Sequence, residues 1–104
     1  MLDFNQALDT KTKSPSVSLS TQDALMQIGE RLRVARLRRR QTAGSVAQRI
    51  GVSLSTYKRM ESGGEGIAVG ALFEALALFG FSSQLFALGD PALDRDHLLT
   101  NLMC

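Results

Sequence analysis

Nine lysines and arginines lie between Arg31 and Met60, and no aspartate or glutamate interrupts them. The other three cations share the rest of the chain with all ten acidic residues. A formal net charge of +2 therefore hides a strongly polarised distribution. Positive charge concentrated in this way attracts polyanions. The plainer alternative is a solvated basic face. Other chemistries find little support. His97 is the sole histidine, with no cysteine or carboxylate at zinc-site spacing, and it reads as a solvated residue of the tail. No metal or cofactor is expected. The glycine run of residues 63–66 lacks both a P-loop's GK[ST] and the spacing of GxGxxG. No nucleophile–base pair stands out, so an enzyme is not expected.

The elements that must carry the basic residues follow from the stretch VAQRIGVSLSTYKRMESG, residues 46–63. It reads as two short helices, Ala43–Ile50 and Leu54–Glu61, joined by a sharp turn. Ala47 is small enough to let two helices cross closely. Gly51 stands where the chain must reverse, and glycine alone takes a positive φ without penalty. Ser53 follows as an N-cap for the second helix, and Thr42 caps the first. Val46, Ile50, Val52, Tyr57 and Met60 fall on one inward face. Ser55, Thr56, Lys58 and Arg59 fall on the outward face. Such a pair is a helix-turn-helix, whose second helix offers its N-terminal half to the major groove.

Around this unit the chain reads as one all-α domain of five helices over residues 21–89. Residues 1–20 form a flexible N-terminal arm and residues 90–104 a C-terminal tail. The arm has no sustained periodicity, although the alternation over residues 16–20 could become a short strand on a partner's edge. The first helix opens with Thr21 as N-cap and turns Leu25, Ile28, Leu32 and Ala35 to the core. Its other side carries Arg31, Arg33, Arg38, Arg39 and Arg40, which either complement the helix C-terminus or meet phosphates. Gly44 weakens the next helix by about 1 kcal/mol relative to alanine. A fourth helix over residues 69–79 is apolar on nearly every side, so one face is expected on the first three helices and the other on a second protomer. Ser82 or Ser83 caps a fifth helix, residues 83–87. Glu74, Gln84, two serines and Gly80 argue against a membrane pass through residues 67–88. Nothing at the N-terminus reads as a signal peptide, and the single Cys104 allows no intramolecular disulfide. These features fit a reducing cytosol.

The segment QTAGSVAQRIGVSLSTYKRMESG, residues 41–63, resembles the phage-repressor type of helix-turn-helix family, the Xre or Cro/CI type, and the likeness runs over residues 28–89. The resemblance implies a lambda-repressor-like fold. More narrowly, LFGF followed by SSQLFALGDP is similar to HipB-type antitoxins, dimeric autorepressors encoded beside a HipA-type serine/threonine kinase. The implied function is sequence-specific repression by a homodimer on a palindromic double-stranded operator. The implied place is a bacterial cytoplasm, with the protein held at the nucleoid by operator binding. A stand-alone regulator without a toxin partner is the alternative. RNA binding or an adaptor role is another, weakened because Tyr57 is the single aromatic in the basic half.

By that resemblance, Ser53, Leu54, Ser55, Lys58 and Arg59 meet base edges. Arg59 is the best reader, because its fork bonds guanine O6 and N7 together. Lys58 takes a base or a phosphate, Ser55 and Thr56 either, and Leu54 a thymine methyl or a sugar. Ser53 is either a pure cap or a phosphate contact. Thr42, Arg38, Arg39 and Arg40 complete the expected DNA-binding set. Ala43 replaces the family's phosphate-binding glutamine, which leaves the helix N-terminus only its backbone N–H groups. Arg36 and Glu61 match a family ion pair linking the first and third helices. Leu72, Phe73, Leu76, Phe79, Phe81 and Leu85 are expected at the dimer interface.

Overall fold

Serine and threonine crowd the start of the first helix, and the structure selects the earliest plausible cap among them. The computed structural model describes residues 16–94. Helix α1 runs from Leu19 to Arg38, and the Ser18 side chain accepts the Thr21 amide at 3.2 Å. Thr21 is therefore one turn inside the helix and does not cap it. Leu19 and Ser20 belong to the first turn of α1, so without a partner's edge these two residues are helical. Ser18, Ser20 and Thr21 all have capping chemistry, and what the chain packs against decides between them. Residues 1–15 of the expected arm and residues 95–104 of the tail, with His97 and Cys104, lie outside the described residues.

Helices α2 (Ala43–Ile50) and α3 (Leu54–Glu61) fall where the turn chemistry puts them. Thr42 caps α2 by accepting the Ser45 amide at 3.0 Å. Helix α4 spans Val69–Leu78 and stops one residue short of the expected Phe79, which serves as its C-cap before Gly80 at φ 93°. Helix α5 spans Ser82–Ala87, and Phe81 stands at its N-cap without a side-chain bond. Neither Ser82 nor Ser83 therefore caps it; both lie in the first turn. A 3-10 turn, Pro91–Leu93, follows, with the Asp90 carboxylate accepting the Ala92 amide at 2.9 Å. The described residues are all-helical, with five α-helices and no strand. No helix among them is long and apolar enough to cross a membrane.

The core takes one stripe from each of the first four helices. Leu32 and Ala35 of α1 meet Val46 and Ala47 of α2, Tyr57 and Met60 of α3, Ala75 of α4, and Phe79 just beyond it. Burying a side chain of leucine or phenylalanine size contributes roughly 1.5–3 kcal/mol. This small cluster therefore decides where α3 sits. Ile28, Ile50, Val52, Leu72, Leu76 and Phe81 pack around it, half-buried.

Gly29 sets the crossing of α1 over α3. A Cβ there would lie 2.4 Å from the Glu61 carbonyl oxygen and 2.6 Å from that of Met60. The C-terminal end of α3 thus rests directly on the α1 backbone, at a distance only a glycine permits. Gly29 shares a helix face with Leu25 and Leu32, and an isolated glycine in a helical pattern is the sequence signal for such an approach.

Candidate nucleic-acid interface

The turn that aims α3 is built from glycine and backbone bonds. Gly51 holds φ 78° and ψ 30°, and its amide bonds the Gln48 carbonyl at 3.2 Å. The Val52 amide bonds back to the Ala47 carbonyl at 3.0 Å. These satisfy the last carbonyls of α2 in the Schellman manner and turn the chain directly into the next cap. The Ser53 hydroxyl accepts the Thr56 amide at 3.0 Å and also lies 3.0 Å from Thr56 Oγ1, to which it donates. Of the two roles open to Ser53 in the sequence, the cap is the one formed here. Its one hydroxyl proton is engaged, so a phosphate contact from that oxygen requires the bond to Thr56 to be released.

Behind the turn, Tyr57 and Met60 anchor α3 in the core, with Tyr57 wholly buried. On the opposite side Ser53, Leu54, Ser55, Lys58 and Arg59 are exposed, and Thr56 is half-buried. Leu54 is 43% exposed, so an apolar side chain stands open at the first position of the helix. At the capped N-terminus of α2, a Cβ on Gly44 would meet nothing within 4 Å. Unpaired backbone N–H groups at such an end favour an anion.

Arg36 and Glu61 hold the unit in place from below. Arg36 Nε donates to Glu61 Oε2 at 2.7 Å and Nη2 to Oε1 at 3.1 Å. Nη1 donates to the Gln41 carbonyl at 3.0 Å. One guanidinium therefore ties the end of α1, the connection to α2 and the end of α3. The two side chains are only 14% and 10% exposed. Burial is the largest single influence on Glu61 and disfavours its charged form. The Arg36 hydrogen bonds and charge, with the neighbouring Tyr57 hydroxyl and Arg33, together outweigh it and hold the carboxyl below its ordinary value. The bonds it donates to Glu61 likewise raise the Arg36 guanidinium. Burial first, and then the neighbouring carboxylate, pushes the Tyr57 hydroxyl far above its ordinary value.

The other arginines of α1 divide by what they touch. Arg33 Nη1 lies 3.6 Å from Glu30 Oε2, and Arg31 Nη2 donates to Gln27 at 3.4 Å. Arg39, expected among the DNA-binding residues, is exposed and also bonds within the fold. Its Nη1 donates to the Ala35 carbonyl at 2.9 Å and its Nη2 to the Phe79 carbonyl at 3.2 Å, while its guanidinium carbon lies 5.1 Å from the Phe79 ring centre. It braces the end of α1 against the end of α4 and caps orphan carbonyls. No local sequence signal could have found this, because the partner is forty residues away. Arg38 and Arg40 are exposed as well. Arg40 holds φ 55°, the left-handed region, with its amide on the Leu37 carbonyl at 3.0 Å.

The expected dimer residues also divide. Phe79 is 4% exposed and belongs to the chain's own core, so it has no surface to give a partner. Leu72, Leu76, Phe81 and Leu85 are half-buried, and Phe73 is more open. The largest open apolar side chain here was not anticipated: Phe86 on α5 is 89% exposed. With Gly70, Phe73, Ala77 and Leu85 it lines a groove of about 410 Å³ between α4 and α5.

Taken together, a capped, glycine-turned helix pair with a polar, cationic outer face on a helical core defines a DNA-binding domain. Residues 27–88 match the helix-turn-helix domain family, more than half of the chain, and the chain belongs to that family. Neither a curated protein nor a solved structure matches it.

Proposed function

We propose that this chain is a sequence-specific transcriptional repressor that acts as a homodimer on a palindromic operator in its own promoter. The observation that carries the reading is the outer face of α3. Ser55, Lys58 and Arg59 are exposed on a helix whose other face is fixed by Tyr57, Met60 and the Arg36–Glu61 pair. Arg59 reads guanine through O6 and N7. Lys58 and Ser55 take a neighbouring base or phosphate, and Leu54 a thymine methyl or sugar. Arg38, Arg40 and the N-terminus of α2 hold phosphates on either side, with Thr42 fixing that end. Arg40 strengthens the assignment, because a glycine would sit at its φ with less strain and yet the position carries a cation.

Dimerisation supplies the second half-site. The open face of α4 and α5, with Phe73, Leu85 and Phe86 at its centre, supports a partner copy with its α3 about one DNA turn (~34 Å) away. The antitoxin role rests on the similarity of the α4–α5 segment to HipB-type proteins. The dimer would then also bind a HipA-type kinase, which alters its operator affinity. The protein would work in a bacterial cytoplasm, at the nucleoid.

Fluorescence anisotropy tests the reading, with a duplex from immediately upstream of the gene against a scrambled duplex at two salt concentrations. The expected result is a specificity ratio above roughly 10³, largely lost in Arg59→Ala. Equal, steeply salt-dependent binding to both duplexes would overturn the operator reading and leave phosphate contacts alone. Co-purification with the product of the adjacent gene separates an antitoxin from a lone repressor.

A further inference from the structure

Arg59 is exposed but not unrestrained. Its Nη2 donates to the backbone carbonyl of Glu65 at 3.2 Å, in the loop that follows α3. That loop is itself pinned to the start of the described chain. Glu65 Oε1 accepts the Ser16 amide at 3.0 Å and the Ser16 hydroxyl at 2.5 Å, across forty-nine residues of sequence. Two further contacts close the loop. The Gly64 amide bonds the Arg59 carbonyl at 2.8 Å, and Gly63, at φ 83°, lies so close to the Met26 backbone that a Cβ would come within 2.8 Å. Gly66, at φ 80°, leaves room beside Arg59 Nη2.

We propose that Glu65 is a specificity-determining positioning residue: anchored by Ser16, it holds the loop carbonyl that orients the Arg59 guanidinium for base reading. The inference rests on the assignment of Arg59 as reader in the proposed function. The physical reason is conformational entropy. A surface arginine populates many rotamers, and a bidentate contact to guanine requires one of them. A single carbonyl bond takes one Nη2 hydrogen and restricts that choice; the other Nη2 hydrogen, paired with Nε or Nη1 on the adjoining edge, is left to form the fork. The bond to Arg59 comes from the Glu65 backbone carbonyl, while the carboxylate accepts from Ser16. Its charge would by itself disfavour DNA, so its value lies in fixing the loop.

The test selects binders from a library of duplexes with a randomised central segment and reads base preference position by position. It compares the full chain with Arg59→Ala, Glu65→Ala, Glu65→Gln and Ser16→Ala. Both Glu65 variants lose the same charge, but glutamine keeps an oxygen that accepts from Ser16. The expected result is a guanine preference that falls roughly tenfold or more in Arg59→Ala. It should fall by a comparable factor in Glu65→Ala, be restored in Glu65→Gln and be partly lost in Ser16→Ala. Preference at positions read by other residues should not move. If Arg59→Ala erases the guanine preference and Glu65→Ala retains it, the positioning role is overturned and the reader stands. If both glutamate variants lose it equally, charge and not anchoring is responsible, and the proposal fails. If Arg59→Ala changes no position, the reader assignment fails and takes this inference with it.

Discussion

Arg36 and Glu61 carry more of the architecture than any other charged residues among those described. Their fork is bidentate and mostly out of water, and a third N–H holds the Gln41 carbonyl. Arg36→Ala should strand the carboxylate and lower stability by about 3 kcal/mol, read as a fall in melting temperature. The pair also makes stability depend on pH. Glu61 is held below its ordinary value of 4.5, so its contribution is complete above that value and fades as pH falls through the lowered one. Acid unfolding should therefore steepen below about pH 4.5 in the native chain, and Glu61→Gln should flatten that limb. Arg40 makes the opposite case. Its left-handed backbone costs a non-glycine residue roughly 1 kcal/mol, so Arg40→Gly should raise stability by about that amount while weakening DNA binding. Denaturant melts and anisotropy on the same variant would separate the two effects.

Two glycines in helices have opposite meanings at the scale of the element. Gly29 lies under the end of α3 with backbone oxygens where its Cβ would be, whereas Gly44 faces open space near the start of α2. Gly29→Ala must push α3 away from α1, at an overpacking cost of roughly 2–3 kcal/mol. Gly44→Ala should stabilise α2 by about 1 kcal/mol through helix propensity alone. Thermal melts of the two variants should therefore shift in opposite directions. A Gly29→Ala protein as stable as the native chain would mean that the helices do not cross at contact distance.

The apolar surface that the five helices leave uncovered is a property of the whole molecule. Phe86 contributes almost nothing to the chain's own core, and Phe73 is partly open beside it. If this face joins two copies, Phe86→Asp should leave the monomer's melting temperature nearly unchanged. The same change should shift the sedimenting species from dimer to monomer and weaken operator binding with it. A variant that remains dimeric would move the interface elsewhere. The distinction matters because a palindromic site is read by two α3 helices at fixed spacing, which a lone domain cannot supply.

Local chemistry was sufficient wherever a structural decision is local. The α2–α3 turn was legible because Gly51, Ser53 and Thr42 each act on their own neighbours, and the bounds of both helices followed from them. Tyr57 was legible as core from its place on the inward face, and it is wholly buried. The Arg36–Glu61 contact was suggested by likeness to a family and not by spacing. Tertiary structure decided the rest, because the energies that decided it come from residues far apart in sequence. It chose Ser18 over Thr21 as the first cap, where several side chains offered the same bond. It gave Arg39 partners within the fold, a carbonyl and a ring at Phe79, although the residue stays exposed. It drew Phe79 inside while leaving Phe86 out, although both stand in apolar runs. Periodicity states which residues are apolar. Only packing, where each buried face excludes another, settles which of them the core has room to hold.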